Sequence, residues 1–296
     1  MAKDMQDKVD KDDLAASKSV FIPSELFSHD EQIFSPEILR SSLFTGRKSG
    51  PREFYDNQAI STIGDCSILY TGEELRVSDL EVIKFVLSQL KGRPVRSSEE
   101  GLSVRFTRFE ACQTIFGASG GSEYRKLNDS LNRLAKKSSI TFFYQRSDGS
   151  SIKLEGVSLI RKFLDVSDKN HKRGLVEAFL EPEIVMLLGF EHSILPLNTD
   201  RLSPQAVKIR DYLITRPDQY EVINLDQLRN VIWSSRATDA SIRNQLARVS
   251  KQLVDNRYLR SKIRINKYNE LEFDVGERID ANRNSDPNQF MLQLDF

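Results

Sequence analysis

The chain has 296 residues, 39% of them hydrophobic, which is enough for two ordinary cores with tails and excludes wholesale disorder. No apolar run approaches the roughly 20 residues that span a bilayer, and the opening Met1-Ala-Lys-Asp-Met lacks a signal peptide's apolar stretch, so a soluble, intracellular protein is expected. The net charge of zero hides a gradient: residues 1–40 hold 9 acidic and 5 basic side chains, residues 276–296 hold 4 and 2, and residues 41–275 hold 30 and 36.

In chain order, residues 1–40 form an expected flexible acidic tail. It carries three apolar clusters, Val20-Phe21-Ile22, Leu26-Phe27 and Ile33-Phe34, suited either to docking or to packing on the first domain. That domain is placed at 41–197. It starts with a hairpin, Ala59–Ile63 and Ser67–Tyr70 around Gly64-Asp65, whose Ile60-to-Tyr70 edge is a candidate homodimer contact. A helix is expected from Leu75 to Leu90, with Leu80, Ile83, Val86, Leu87 and Leu90 on one stripe. Gly92–Gly101 reads as a loop and Val104–Phe106 as a strand.

Thr107-Arg-Phe-Glu110 is a helix start, with a hydroxyl to cap and a carboxylate to reach back. A second helix, Ser122 to Lys137, places Tyr124, Leu127, Leu131 and Leu134 on one arc. Ser122, Arg125, Lys126, Asp129, Arg133 and Lys136 fall on the opposite face. Strands Ile140–Gln145 and Ile152–Ile160 flank Asp148-Gly149, a strong hairpin turn, with Arg146 and Lys153 near its tip. A further helix is expected from Glu183 to Leu188, between Pro182 and Gly189.

The second domain is placed at 198–275 and repeats the plan. Ser203-Pro204 starts a helix over Ala206–Thr215, Asn224-Leu-Asp-Gln227 starts a short one, and Thr238 or Asp239 caps a long one to about Asn256. Ile242, Leu246, Val249 and Leu253 make its buried stripe, leaving Asn244, Arg248 and Lys251 outward with Ser241 and Arg243 beside them. Ile263, Ile265, Leu271, Phe273 and Val275 alternate around the Lys267–Glu270 turn, so Arg264 and Lys267 point away from the apolar face. Residues 276–296 read as a flexible tail.

Helix, turn, basic amphipathic helix and hairpin, twice, is the plan of two tandem winged-helix domains in an α+β chain. That plan points to reading double-stranded DNA. The basic faces suit phosphates or guanine O6/N7, and Asn244 suits adenine. No catalytic constellation is found, and neither cofactor nor metal is expected. His29, His171 and His192 are solitary, Cys66 and Cys112 fit neither a disulfide framework nor a zinc site, and Gly46-Arg-Lys-Ser-Gly50 lacks P-loop spacing. Tyr70 and Tyr124 read as core residues rather than nucleophiles.

Several strings resemble plasmid replication initiators of the TrfA type. They are Arg40-Ser-Ser-Leu-Phe-Thr-Gly-Arg47, Tyr70-Thr-Gly-Glu-Glu-Leu-Arg76, Gly156-Val-Ser-Leu-Ile-Arg-Lys-Phe163 and Leu180-Glu-Pro-Glu-Ile-Val-Met-Leu-Leu-Gly189, in that order. Ile223-Asn-Leu-Asp-Gln-Leu228 and Val231-Ile-Trp233 are also similar to RepC-type initiators. The resemblance implies a bacterial, cytoplasmic protein that binds direct repeats (iterons) at a plasmid origin and helps open it. It also implies recruitment of the host initiator, the replicative helicase and the sliding clamp. Clamp-binding strings of such proteins resemble Ser24–Phe27, which lacks their glutamine, and Gln293-Leu294-Asp295-Phe296, which is one residue short. A transcriptional repressor on an inverted operator, or a purely protein-binding winged helix, stays open beside this reading.

Overall fold

A computed structural model describes residues 19–21, 31–64, 66–90, 94–96, 102–145, 151–166, 174–181, 183–184, 193–196, 201–216, 220–233 and 237–283. The first elements are β1 (Ser19–Phe21), β2 (Glu31–Phe34), α1 (Pro36–Leu39), β3 (Phe44–Thr45), β4 (Phe54–Ile60), β5 (Cys66–Glu73), β6 (Leu75–Arg76) and α2 (Val77–Ser88). Then come β7 (Pro94–Arg96), β8 (Leu102–Thr107), α3 (Arg108–Phe116), α4 (Gly121–Lys136), β9 (Ser138–Gln145), β10 (Ser151–Val157), β11 (Lys162–Val166), β12 (Leu175–Leu180) and β13 (Ser193–Pro196). The rest is α5 (Pro204–Ile214), β14 (Tyr220–Asn224), α6 (Leu225–Ile232), α7 (Asp239–Asp255), β15 (Arg264–Ile265), β16 (Glu270–Asp274) and α8 (Glu277–Arg283). Helices and sheets mix throughout, an α+β architecture.

The helix expected to show one apolar stripe, α2, is instead buried on nearly every side, Ser78 excepted. It packs against α3, α4, α5, β2, β3 and β6, so Leu80, Val82, Ile83 and Val86 all lose contact with water. A helix apolar around its whole girth belongs in a core. The charges it takes inside must then be paired. Asp79 accepts the Arg76 backbone N–H at 2.9 Å, and Lys84 Nζ lies 2.9 Å from both Glu81 and Asp211.

The hairpin near residues 59–70 forms with a longer first strand, β4, but its second strand is not a free edge. The sheet order is β10-β9-β5-β4, so β9 covers β5, and only β4 and β10 lie outermost. The strand expected over Ile152–Ile160 stops at Val157, where Gly156 adopts φ +68° and the register with β9 shifts. Leu159 and Ile160 then turn into the core, and the chain enters a second sheet, β11-β12-β8.

Both tail boundaries move. Ile33-Phe34 lies in β2, which pairs with β13, and the Phe34 ring packs inside, meeting Phe44 edge-on at 6.5 Å. Residues 31–40 therefore belong to the body rather than to a tail. Val20-Phe21 pairs with β7, whereas Ile22 and Leu26-Phe27 lie outside the described residues. At the other end, α8 buries Ile279 and stacks Arg278 over the Tyr258 ring at 4.3 Å, so the packed body runs past 275. Of the helix expected at 183–188, only Glu183 and Ile184 are described, and both are helical.

The early and late parts of the chain meet along α5, whose residues Ala206–Ile214 are all buried. Lys208 Nζ donates to the carbonyls of Leu39 (2.9 Å) and Ser41 (2.8 Å), nearly 170 residues earlier. Arg210 donates to Asp211 at 2.8 Å and to the Pro196 carbonyl at 3.2 Å, and Asp211 also holds Lys84. Burial pulls the Lys208 pKa down to about 7, aided by the Lys84 cation and opposed by Asp211. Burial also opposes the Asp211 charge, but Arg210 and Lys84 outweigh it and hold that carboxyl below its usual range. Nearby, the Gly46 N–H donates to the Ile232 carbonyl at 2.9 Å; a Cβ on Gly46 would stand 2.6 Å from that oxygen.

Candidate nucleic-acid interface

In the first half, Thr107 caps α3 by accepting the Glu110 N–H at 3.1 Å, as its sequence predicts. Gly117 ends the helix in the left-handed region at φ +69°. Gly120 then opens α4, with Glu123 accepting the Gly120 N–H at 3.2 Å. Leu127, Leu131 and Leu134 are fully buried and Tyr124 half-buried, so the predicted arc faces the core.

On the outer side, Ser122, Arg125, Lys126 and Asp129 are exposed. Arg125 and Asp129 make no hydrogen bond or ion pair among the described residues. Ser122 donates to Glu123 at 2.6 Å, and Lys126 sits 3.5 Å from the same carboxylate and 5.9 Å from the centre of the Phe116 ring. The Ser122 hydroxyl, the local backbone and Lys126 together hold the Glu123 carboxyl below its ordinary range.

Arg133 is elsewhere. Its guanidinium grips the buried Asp79 through Nε (3.1 Å) and Nη2 (2.8 Å), alongside Arg52 at 2.8 Å and the Ser130 hydroxyl. Helical phase alone put Arg133 outward, but a carboxylate inside α2 needs cations, and Arg133 reaches back to it. An aspartate inside the apolar pattern of residues 75–90 signals the need for a cation, though not which one. The Lys136 side chain and Arg146 lie outside the described residues, as do Gln293, Leu294, Asp295 and Phe296. Lys153 is exposed on β10, 2.5 Å from Glu155.

The second half repeats the arrangement. Asn224 caps α6 by accepting the Asp226 N–H at 2.8 Å, and Thr238, rather than Asp239, caps α7 by accepting the Ser241 N–H at 3.3 Å. Asp239 instead pairs with Arg229. The buried stripe of α7 is as predicted. Its outer face shows Arg243, Asn244, Arg248 and Lys251, all exposed and all without a hydrogen bond or ion pair among the described residues.

Ser241 turns partly inward. It accepts from Gln245 at 3.0 Å, which accepts the Trp233 indole N–H at 2.9 Å, a chain that fixes α7 on α6. The hairpin β15–β16 follows, with Arg264 exposed and Lys267 resting 4.9 Å from the centre of the exposed Tyr268 ring. Asn266 closes the turn by accepting the N–H groups of Tyr268 and Glu270.

A family model described as TrfA protein matches residues 19–267. The chain belongs to the TrfA protein family. The likeness to plasmid replication initiators of the TrfA type, drawn above from sequence strings, is thereby shown. A solved structure of domains 2 and 3 of RctB shares the fold at TM-score 0.52 and 14% identity, covering 81% of this chain and 96% of that one. Among curated proteins none matches. No helix among the described residues of this TrfA-family chain is long and apolar enough to cross a membrane.

Proposed function

We propose that this replication initiator binds double-stranded DNA through α4 and α7, each the recognition helix of a winged-helix domain. In this reading β9–β10 and β15–β16 serve as the wings. The observation that carries it is the outer face of α7, where Arg243, Asn244, Arg248 and Lys251 stand exposed and, among the described residues, uncommitted on a helix locked by its other face. Cations without internal partners retain their capacity for phosphate or guanine contacts, and a rigid helix gives them register.

Arg125, Lys126 and Ser122 give α4 the same role with fewer free charges, and Lys153, Arg264 and Lys267 serve the wings. Arg133 acts from behind, holding α4 on Asp79. The targets are direct repeats at a plasmid origin in the bacterial cytoplasm. Opening of the adjacent duplex is driven by contact energy gained on distorted DNA, without catalysis by the chain itself. The host initiator, the replicative helicase and the sliding clamp are the partners that membership of this type suggests.

The test is footprinting of the purified protein on fragments of its own plasmid at two salt concentrations. Evenly phased direct repeats protected with steep salt dependence are the expected result. A single inverted repeat would assign the chain to repression. Absence of protection at both salts would overturn the DNA reading.

A further inference from the structure

Four non-glycine residues of the described chain adopt positive φ, namely Asn57, Arg201, Arg257 and Asn269. The two asparagines suit that region. Arg257 is explained by the end of α7, where the Tyr258 N–H returns to the Leu253 carbonyl at 2.8 Å. Arg201, at φ +53°, stands in the connection just before α5. A glycine would take that backbone without penalty, whereas an L side chain there costs about 1 kcal/mol.

The side chain has a defined place. A Cβ on Gly117 would lie 2.6 Å from Arg201 Nη2 and 3.2 Å from its Cζ, so the guanidinium rests on the turn between α3 and α4. It is exposed and makes no hydrogen bond or ion pair among the described residues. Its neighbours are anchored in the second domain. Leu202 is buried, and Ser203 donates both its N–H (3.2 Å) and its hydroxyl (2.7 Å) to Gln252 on α7. An uncommitted cation thus sits on the turn of the first helix pair, carried by backbone pinned to the long helix of the second.

We infer that Arg201 is a phosphate contact of the DNA complex, gripping the strand that passes the α3–α4 turn and tying the registers of α4 and α7 together. This rests on the DNA reading above. In a helix-turn-helix docked in the major groove, the turn before the recognition helix lies beside the backbone, where a cation meets phosphate rather than a base edge. The alternative is that Arg201 only complements the C-terminal dipole of α3, which gives stability but no DNA contact.

The experiment compares wild type, Arg201→Gly, Arg201→Gln and Arg201→Lys, with Arg243→Ala as a DNA-contact control. Readouts are thermal stability and binding to a repeat-bearing duplex and a scrambled one, each across a salt series. Arg201→Gly is expected to keep or raise Tm through relief of the backbone. It and Arg201→Gln should weaken both duplexes by about tenfold and reduce the salt slope by about 0.9, the share of one phosphate. Arg201→Lys should restore most of the slope.

Unchanged affinity and slope in Arg201→Gly and Arg201→Gln, while Arg243→Ala weakens binding, would overturn this inference and leave the DNA reading standing. A lower Tm with an unaltered slope would assign Arg201 to helix capping and overturn it too. Wild type without salt-dependent binding would remove both.

Discussion

Arg125 and Arg133 lie on the same helix eight residues apart, and the sequence pattern gave them one role. The structure separates them: Arg125 is exposed and unpaired among the described residues, while Arg133 holds the buried Asp79. Arg133→Ala should destabilise the fold by about 2 kcal/mol, because Asp79 keeps Arg52 and Ser130 but loses a charged partner out of water. Arg125→Ala should leave the urea midpoint unchanged and weaken DNA binding. Equal midpoints for the two variants would contradict this division. The caps at Thr107, Asn224 and Thr238 were legible because each acts over three residues or fewer. The Arg133–Asp79 contact spans 54 residues, beyond the reach of any local pattern. Lys208 carries a pH signature of its own, set among Lys84, Glu81, Arg210, Asp211 and the carbonyls of Leu39 and Ser41. Its folded pKa of about 7 lies below the ordinary 10.5. Between those values the unfolded chain binds a proton that the folded chain does not, so this residue's contribution to stability is lowest below pH 7 and rises with pH through the window. Measured against Lys208→Met by urea denaturation, wild type should gain up to about 1.4 kcal/mol per pH unit from pH 7 to 9. A constant difference would show that the buried amine keeps its proton.

Among the elements, α4 and α7 are alike in plan and unlike in free charge. On α7, Arg243, Arg248 and Lys251 are exposed and unpaired among the described residues, whereas on α4 Lys126 shares Glu123 and Asp129 adds a negative charge to the same face. Hence α7 should dominate the electrostatics of binding. The double variant Arg243→Ala/Arg248→Ala is expected to reduce the salt slope by nearly two, and Arg125→Ala/Lys126→Ala by about one. The reverse order, read from affinities across a salt series, would make α4 the principal phosphate-binding helix. Amphipathic period made these two helices visible in the sequence. It could not place α2, buried on nearly every side, nor the β11-β12-β8 sheet, in which β12 pairs with β8 some 70 residues earlier. Likewise β2 reads as tail until β13, some 160 residues on, supplies its partner. Pairing at such separation leaves no periodic trace in either strand alone.

At the scale of the molecule, the joint along α5 would decide how the two helices address DNA in the proposed complex. Lys208 reaches the Leu39 and Ser41 carbonyls, Asp211 holds Lys84, and Gly46 is hydrogen-bonded to Ile232 at a spacing with no room for a Cβ. Breaking such a joint would leave charges unpaired away from water, at several kcal/mol. A hinge there is therefore disfavoured, and the proposed domains should bind as one body with the spacing of α4 and α7 fixed. That rigidity can be tested on the DNA. Inserting about 5 base pairs within a repeat turns the second major-groove segment to the opposite face, and about 10 restores the face but adds a full turn of distance. Two domains on a loose linker would lose binding at 5 and recover much of it at 10, because the second site stays within reach at a useful effective concentration. A single rigid body should lose one helix's contacts in both cases. Titration of the two insertions should then give equal, weakened affinities, close to that of Arg243→Ala/Arg248→Ala on the unaltered repeat wherever α7 is the helix displaced. Recovery at 10 base pairs would mean that the buried charges of α5 open when DNA is bound.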